Sequence, residues 1–85
     1  MLIMRDKTFK HAYINKYDLY DKNNVLLKSA YVNRCTNPNI YINPGYYLGF
    51  DSLAKDKDLY KKCFKTSKAA AIAFFKSEYK FFDLL

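Results

Sequence analysis

The sequence predicts an α+β fold: a small antiparallel β-sheet of about four strands, with an N-terminal hairpin, packed by a C-terminal amphipathic helix. Three patterns support this prediction. Apolar and polar residues alternate in the first third, a Pro-Gly turn lies in the middle, and apolar residues recur at helical spacing at the end. A chain of 85 residues can build one hydrophobic core. Residues 1–85 are therefore expected to form a single small basic domain.

The predicted hairpin begins with residues 8–20, which alternate in the manner of a strand. Residues 21–24, Asp-Lys-Asn-Asn, form the turn, because Asp and Asn bond their own backbone and tolerate left-handed dihedral angles. Residues 25–32 return as the second strand, with Leu27 and Tyr31 on one face.

Two more short strands are predicted in the middle of the chain. Residues 40–42, Ile-Tyr-Ile, form the first of them. Residues 43–46 fit a type II turn, in which Pro44 presets the first central dihedral and Gly45 supplies the positive one. Residues 46–50 then pair back as the fourth strand.

A second, short helix is possible after this strand. Asp51 or Ser52 can cap it, and acidic residues precede lysines by four positions twice in the segment that follows. The competing interpretation places residues 59–65 in a last strand. The two alternatives decide whether the local lysines form one patch or divide between two faces.

The C-terminal helix gives the clearest pattern. Thr66 or Ser67 caps a run of good helix formers over residues 68–82. Phe74 and Phe81, seven residues apart, form an aromatic stripe beside the main apolar face. The stripe is predicted to be core, and the alternative is a face for a protein partner or for self-association.

Charge and composition bear on the context of the protein. The formal net charge is +7, and lysine (13) outnumbers arginine (2). The abundant Lys, Asn, Ile, Tyr and Phe have AT-rich codons, which suggests a bacteriophage, another virus or a low-GC bacterium. No charged residue occurs in residues 35–50, whereas basic residues predominate on both sides of them. The sequence thus sets a neutral aromatic segment between two basic ones.

Catalytic chemistry is poorly represented in the chain. His11 is the only histidine, and it is expected to be a structural residue of the first strand. Cys35 and Cys63 are the only cysteines, and two reduced thiols are expected, with a single disulfide as the alternative. Three possible zinc ligands without paired spacing do not predict a metal site, and two glycines around Tyr46-Tyr47-Leu48 do not make a phosphate loop. We expect no enzyme, metal or cofactor.

The expected compartment is the cytoplasm, or the host cytoplasm for a phage-encoded protein. No apolar run approaches the length of a bilayer span. The apolar start of the chain is also too short for the core of a secretory signal.

Binding chemistry is better represented. A lysine cluster can neutralise phosphates or carboxylates, and tyrosines on a turn can supply apolar anchors or stacking faces. The alternatives are a merely solvated basic surface and tyrosines that pack across strands. The candidate binding residues are Lys55, Lys57, Lys61, Lys62, Lys65 and Lys68, with Tyr41, Tyr46 and Tyr47.

Three functions are compatible with these features. The first is a non-catalytic interaction protein of a phage or mobile element that binds the acidic or phosphate-lined surface of a host protein or nucleoprotein complex. It would inhibit or redirect that complex, for example one that handles nucleic acid in defence. The second is a direct, low-specificity binder of single-stranded DNA or RNA. The third is a structural component that self-associates through Phe74 and Phe81.

Overall fold

A computed structural model of the chain describes residues 2–9, 14–35, 43–80 and 82. Within them, four strands form one sheet in the order β1-β2-β3-β4, with every neighbouring pair antiparallel. One α-helix and two short 3₁₀ helices follow the strands, which confirms the α+β fold. The elements are β1 (Ile3–Phe9), β2 (Ile14–Tyr20), β3 (Leu26–Cys35), β4 (Gly45–Leu48), 3₁₀ helices at Phe50–Ser52 and Lys57–Lys61, and α1 (Ser67–Glu78).

The first strand is a correction to the sequence prediction. Residues 8–20 do not form one strand: Thr8 and Phe9 end β1, and β2 begins at Ile14. Because β1 lies at the edge of the sheet and carries Arg-Asp-Lys at its centre, its sequence lacks the apolar alternation of an inner strand. Residues 10–13, which include His11, fall outside the described residues.

The predicted hairpin is confirmed as β2 and β3. The Asp21 carboxylate accepts hydrogen bonds from the backbone N–H groups of Asn23 and Val25, at 2.9 and 3.0 Å. Asn24 takes the left-handed conformation (φ 64°) that the turn requires. A bulge at the start of β3 shifts the pairing between Leu19 and Tyr20. The strand runs to Cys35, three residues beyond its predicted end.

The fourth strand occupies Gly45–Leu48 and pairs with β3, as Val32↔Leu48 and Cys35↔Gly45. It is shorter than the predicted 46–50, because the chain leaves the sheet at Gly49, whose N–H still donates to the Tyr31 carbonyl (2.6 Å). Residues 40–42, where a further strand was predicted, fall outside the described residues.

The C-terminal helix begins as predicted, since the Thr66 hydroxyl accepts from the Ala69 N–H at 3.1 Å. It ends at Glu78 rather than at residue 82, because Tyr79 is already in extended backbone (φ −122°, ψ 113°). The prediction extended past this point because Tyr79 and Phe82 continue the apolar spacing of the helix.

The core lies between α1 and one face of the sheet. Alternation along β2 sends Tyr17 and Leu19 toward the helix, where Phe74 and Phe75 are fully buried. The Tyr17 hydroxyl and Ser67 Oγ are 2.6 Å apart and join the sheet to the start of α1. Asp18 is buried on the opposite face and accepts a hydrogen bond from Ser29 Oγ at 2.6 Å.

Between β4 and α1 the chain forms what we call the 3₁₀ segment, residues 50–61, which contains both 3₁₀ helices. The predicted second helix is therefore not an α-helix. Residues 59–65 do not form the alternative strand either, although Phe64 makes a single antiparallel bridge with Tyr46, on the side of β4 that does not pair with β3. Neither interpretation of residues 59–65 is confirmed, because residues 59–61 end a 3₁₀ helix and Phe64 forms one bridge without a strand.

Candidate interaction surface

All six lysines of the predicted cluster are exposed. They follow one another along the connection between β4 and α1. Lys55 precedes the second 3₁₀ helix, Lys57 and Lys61 are its first and last residues, and Lys68 lies in the first turn of α1. Lys62 and Lys65 lie in the link between these two helices. The cluster is therefore a property of one continuous stretch of chain.

Two exposed apolar residues stand at the beginning of this stretch. Phe50 and Leu53 are each 72% exposed, which makes them the most exposed large hydrophobic side chains among the described residues. The Phe50 ring rests on the Tyr60 ring, with centroids 4.6 Å apart. We call Phe50 and Leu53 the apolar pair. Neither residue was predicted from the sequence as part of a binding surface, because Phe50 was assigned to the fourth strand and Leu53 to a second short helix.

Leu53 has an uncommon backbone conformation. Its φ of 55° and ψ of 50° place it in the left-handed region, where a side chain on Cβ meets the following carbonyl oxygen. A bulky residue in this region is an outlier that costs about 1–2 kcal/mol relative to the right-handed region. Leu53 does not recover this cost by burial, since its side chain is largely exposed.

Specific polar contacts hold the apolar pair in place. The buried Ser52 hydroxyl accepts from the Tyr31 N–H (2.9 Å) and donates to the Tyr31 carbonyl (3.3 Å). Ser52 thus takes the place of a neighbouring strand, because β4 ends before it reaches Tyr31. The buried Tyr60 hydroxyl accepts from the Ala54 N–H at 2.8 Å. The residues on both sides of Leu53 are therefore fixed to the core.

Glu78 ties the segment to the rest of the fold. Its Oε1 accepts from Lys28 Nζ at 2.9 Å and from the Lys55 N–H at 3.2 Å, and its side chain is only 2% exposed. Burial raises the pKa of Glu78. The hydrogen bonds from Lys28 and from the Lys55 N–H, together with the positive charges of these two lysines, lower the pKa by more than burial raises it. The pKa therefore lies below its ordinary value of 4.5. Glu78 is therefore ionised at neutral pH.

Acidic residues balance the lysines of the 3₁₀ segment, since residues 50–61 contain three of each, and the excess of positive charge lies in residues 62–68. The Asp56 carboxylate accepts from the Asp58 N–H at 3.1 Å and caps the second 3₁₀ helix. Lys57 Nζ lies 5.8 Å from the centroid of the Tyr60 ring, close to the apolar pair. Residues 50–68 contain six lysines and three aspartates, so the surface remains positive.

The two predicted tyrosines that the structure describes, Tyr46 and Tyr47, are not exposed rings on this surface. Tyr47 is buried (3% exposed), and its hydroxyl donates to the Asn43 carbonyl, so its prediction as an exposed anchor is wrong. Tyr46 is half-buried against the core, because alternation along β4 turns it toward the helix. Tyr41 falls outside the described residues.

Phe74 is also not an interaction residue. It is fully buried between α1 and the sheet, which confirms the core interpretation and corrects the alternative of a self-association face. Lys28 Nζ lies 5.5 Å from the centroid of its ring. Phe81, the other member of the predicted stripe, falls outside the described residues.

No group of three or more His, Cys, Asp or Glu side chains in the described part of the chain is placed to hold a metal ion. Cys35 and Cys63 do not form a disulfide, and Cys63 Sγ lies 3.5 Å from the Pro44 carbonyl oxygen. Among the described helices, none has the length and apolar character needed to cross a membrane.

Comparison of the chain with protein-family models, with curated proteins and with solved structures gives no match. The function must therefore be argued from the chemistry of the surface itself.

Proposed function

We propose that the protein is a non-catalytic interaction protein that binds an acidic surface of a partner protein and blocks or redirects that partner. The observation that carries the proposal is the apolar pair, Phe50 and Leu53. Both side chains are exposed at the start of residues 50–68, which contain six exposed lysines. Large apolar side chains at the centre of a contact, with charged residues around them, are typical of protein interfaces.

The backbone of Leu53 strengthens this argument. A leucine in the left-handed region costs stability, and an exposed one returns little of it through burial. Glycine would fill the same position without that cost. Contact with another molecule accounts for a leucine here, because binding would bury the side chain that folding leaves exposed.

The lysines define the chemistry of the partner. Six ammonium groups favour a surface rich in carboxylates, and the long flexible side chains adapt to carboxylates that are irregularly spaced. The partner site would hold an apolar pocket for Phe50 and Leu53, with acidic residues at its rim. Such charge complementarity mainly raises the rate of association and selects among partners.

The apolar pair favours a protein over a nucleic acid. Single-stranded nucleic acid is bound on aromatic faces that stack with successive bases. Phe50 offers such a face, but Leu53 has no π-system, and Tyr47 is buried. Nucleic-acid binding is therefore the competing outcome in the test below.

Composition supplies the biological setting of the proposal. The excess of residues with AT-rich codons supports a phage or another mobile element as the source. For such a protein, the partner would be a host protein or nucleoprotein complex in the host cytoplasm, and binding would inhibit or redirect it.

Affinity capture from a lysate of the host, with quantitative mass spectrometry, tests the proposal. We expect a captured protein to be lost with Phe50→Ser/Leu53→Ser and with Lys57→Glu/Lys61→Glu. Lys76→Glu is the matched control, since it reverses an exposed charge on α1, outside the 3₁₀ segment. Thermal unfolding of each variant checks that the fold is intact.

Fluorescence anisotropy with a single-stranded oligonucleotide tests the competing function. We expect weak binding at about 50 mM salt and none at about 200 mM. Micromolar binding that depends on Lys57 and Lys61 but survives Phe50→Ser/Leu53→Ser would overturn the protein-partner proposal. So would capture that is unchanged in both sets of variants.

A further inference from the structure

A short extended stretch of chain lies along the outer side of β4. The Phe64 N–H donates to the Tyr46 carbonyl at 2.8 Å, and the Tyr46 N–H donates to the Phe64 carbonyl at 3.0 Å. The backbone is extended on either side of this bridge, at Lys62 (φ −81°, ψ 135°) and at Thr66 (φ −135°, ψ 154°). Residues 62–66 therefore form a border of the sheet beyond β4, which we call the Phe64 edge.

The Phe64 edge presents main-chain groups that no described residue uses. A trans peptide is planar, so its N–H and its C=O point in opposite directions. Because the N–H and C=O of Phe64 both point to β4, the Cys63 carbonyl and the Lys65 N–H point away from it. Cys63 and Lys65 are exposed, and neither of these two groups has a backbone hydrogen-bond partner among the described residues.

These two groups fit a single residue of an extended chain lying alongside. Such a residue donates its N–H to the Cys63 carbonyl and accepts from the Lys65 N–H with its own C=O, as in a parallel strand pair. Peptides that add a strand to an exposed sheet edge are recognised through main-chain hydrogen bonds of this kind. The Phe64 edge thus has the geometry of a strand-addition site.

The side chains of this region indicate the charge of the added strand. Residues 62–68 contain three exposed lysines and no acidic residue, whereas residues 50–61 contain three lysines and three aspartates. The excess positive charge of the candidate surface is therefore concentrated at the Phe64 edge. Lysines on a sheet edge keep two copies of a basic protein apart, and the same charges attract an acidic strand.

We propose that the Phe64 edge binds an extended acidic segment of the partner protein, which adds a strand to the sheet. This inference rests on the proposed function and deepens it, because it names the part of the partner that Lys62, Lys65 and Lys68 recognise. Main-chain hydrogen bonds hold the segment, and its acidic side chains face the lysines. A second copy of this chain is repelled by its like charge of +7, and a nucleic acid has no peptide N–H for the Cys63 carbonyl.

A peptide titration of the full chain, followed by NMR of its backbone amides, tests the proposal. The probe is a peptide of about eight residues in which glutamate alternates with valine, at about 50 mM salt. We expect the Lys65 amide signal to shift and its hydrogen exchange to slow, because this N–H gains an acceptor. The Lys76 amide, within α1, should not change. The same peptide with lysine in place of glutamate should not bind.

Two matched comparisons separate strand pairing from charge attraction. A peptide N-methylated at every residue keeps its carboxylates but loses its N–H donors, so it should bind at least about fivefold more weakly, the factor for one hydrogen bond. Lys65→Pro removes the N–H at the edge, whereas Lys65→Gln removes the same charge and keeps the N–H. We expect Lys65→Pro to bind about fivefold more weakly than Lys65→Gln. Thermal unfolding checks that both variants are folded.

Three results would overturn the proposal: no binding of the acidic peptide, equal binding of its N-methylated form, and an unchanged Lys65 amide at saturation. The peptide comparison uses the wild-type protein, so it decides the matter even where Lys65→Pro does not fold. Lysate capture that depends on the apolar pair, without peptide binding, would overturn this inference and leave the proposed function standing. Peptide binding of the expected kind without lysate capture would refute the proposed function alone.

Discussion

The helix–sheet core and the 3₁₀ segment are stabilised in different ways. In the core, α1 and the sheet bury a continuous set of apolar side chains, with Phe74 and Phe75 fully enclosed. The 3₁₀ segment turns Phe50 and Leu53 outward, although Ala54, Leu59 and Tyr60 of the same segment are buried in the core. Its exposed part is positioned by hydrogen bonds that the Ser52 hydroxyl, the Tyr60 hydroxyl and the Glu78 carboxylate accept from backbone N–H groups. Many apolar contacts thus maintain the first region, whereas a few hydrogen bonds position the exposed part of the second.

The residues that stabilise the fold therefore differ from the residues that we propose bind a partner. A residue of the core contributes to the free energy of unfolding and touches no partner. The apolar pair contributes little to folding, yet its position depends on polar groups that belong to the core. Substitutions can therefore remove the proposed binding surface without unfolding the protein, or displace it without touching Phe50 or Leu53.

The largest expected effect is on the core. Phe74→Ala should lower the free energy of unfolding by about 3–5 kcal/mol, since it leaves a cavity where a fully buried ring was. Phe50→Ala should cost no more than about 1 kcal/mol, because it loses only a largely exposed ring and its contact with Tyr60. Urea unfolding followed by circular dichroism measures both. Similar losses for the two variants would show that Phe50 contributes to folding as a core residue does.

The next largest effect concerns a hydrogen bond within the 3₁₀ segment. Tyr60→Phe leaves the buried Ala54 N–H without its acceptor, which should cost about 2 kcal/mol. Tyr79→Phe is the matched control, because the structure gives its hydroxyl no hydrogen bond within the described residues. Amide hydrogen exchange should be faster at Ala54 in Tyr60→Phe alone. Unchanged exchange there would mean that the contact does not hold the segment.

A pH-dependent effect is expected at Glu78. Because its folded-state pKa lies below 4.5, its ionised form stabilises the protein fully above that pH. The contribution is lost as the pH falls through the folded-state pKa. Glu78→Gln should cost about 1.5 kcal/mol at neutral pH, where charged hydrogen bonds to Lys28 and Lys55 are replaced. Urea unfolding of both proteins from pH 7 down to about pH 3 measures the difference, which should shrink at the acidic end. A difference that stays constant with pH would exclude ionisation as its source.

The smallest effect is expected at Leu53, and it should have the opposite sign. Leu53→Gly relieves the left-handed conformation and should stabilise the protein by up to about 1 kcal/mol, while abolishing partner capture. Thermal unfolding measures the first effect and affinity capture the second. A marked loss of stability would show that the leucine packs within the fold, which would remove the main argument for its role in binding.

The sequence was sufficient to predict the elements that local rules determine. The Asp21 turn, the Thr66 cap and the alternation that buries Tyr17 and Leu19 each depend on residues close together in the chain. The exposure of the lysines in and around the second 3₁₀ helix could also be expected, because charged side chains are seldom buried.

The remaining features depend on contacts between distant residues. β1 was missed because its charged centre belongs to an edge, and whether a strand lies at an edge is decided only by the assembled sheet. Tyr47 was expected on the surface, yet its hydroxyl bonds back to Asn43. The apolar pair was missed because the region predicted as a second short helix forms two 3₁₀ helices instead. Two contacts between distant residues fix this region: the Tyr31 N–H donates to Ser52 Oγ, and the Lys55 N–H donates to Glu78 Oε1.

Gly45 and Cys63 are expected to vary together in relatives of this chain. A Cβ added at Gly45 would lie 2.5 Å from Cys63 Sγ and 3.0 Å from the Phe64 carbonyl oxygen, which already accepts from the Tyr46 N–H. The sulfur occupies the space that the glycine leaves, so any larger residue at 45 forces the side chain at 63 to move. Alanine at position 45 should therefore be accompanied by a smaller residue at position 63 and by a small shift of the Phe64 carbonyl. Paired substitution at these two positions would be a marker for the fold in sequences that are too divergent to align.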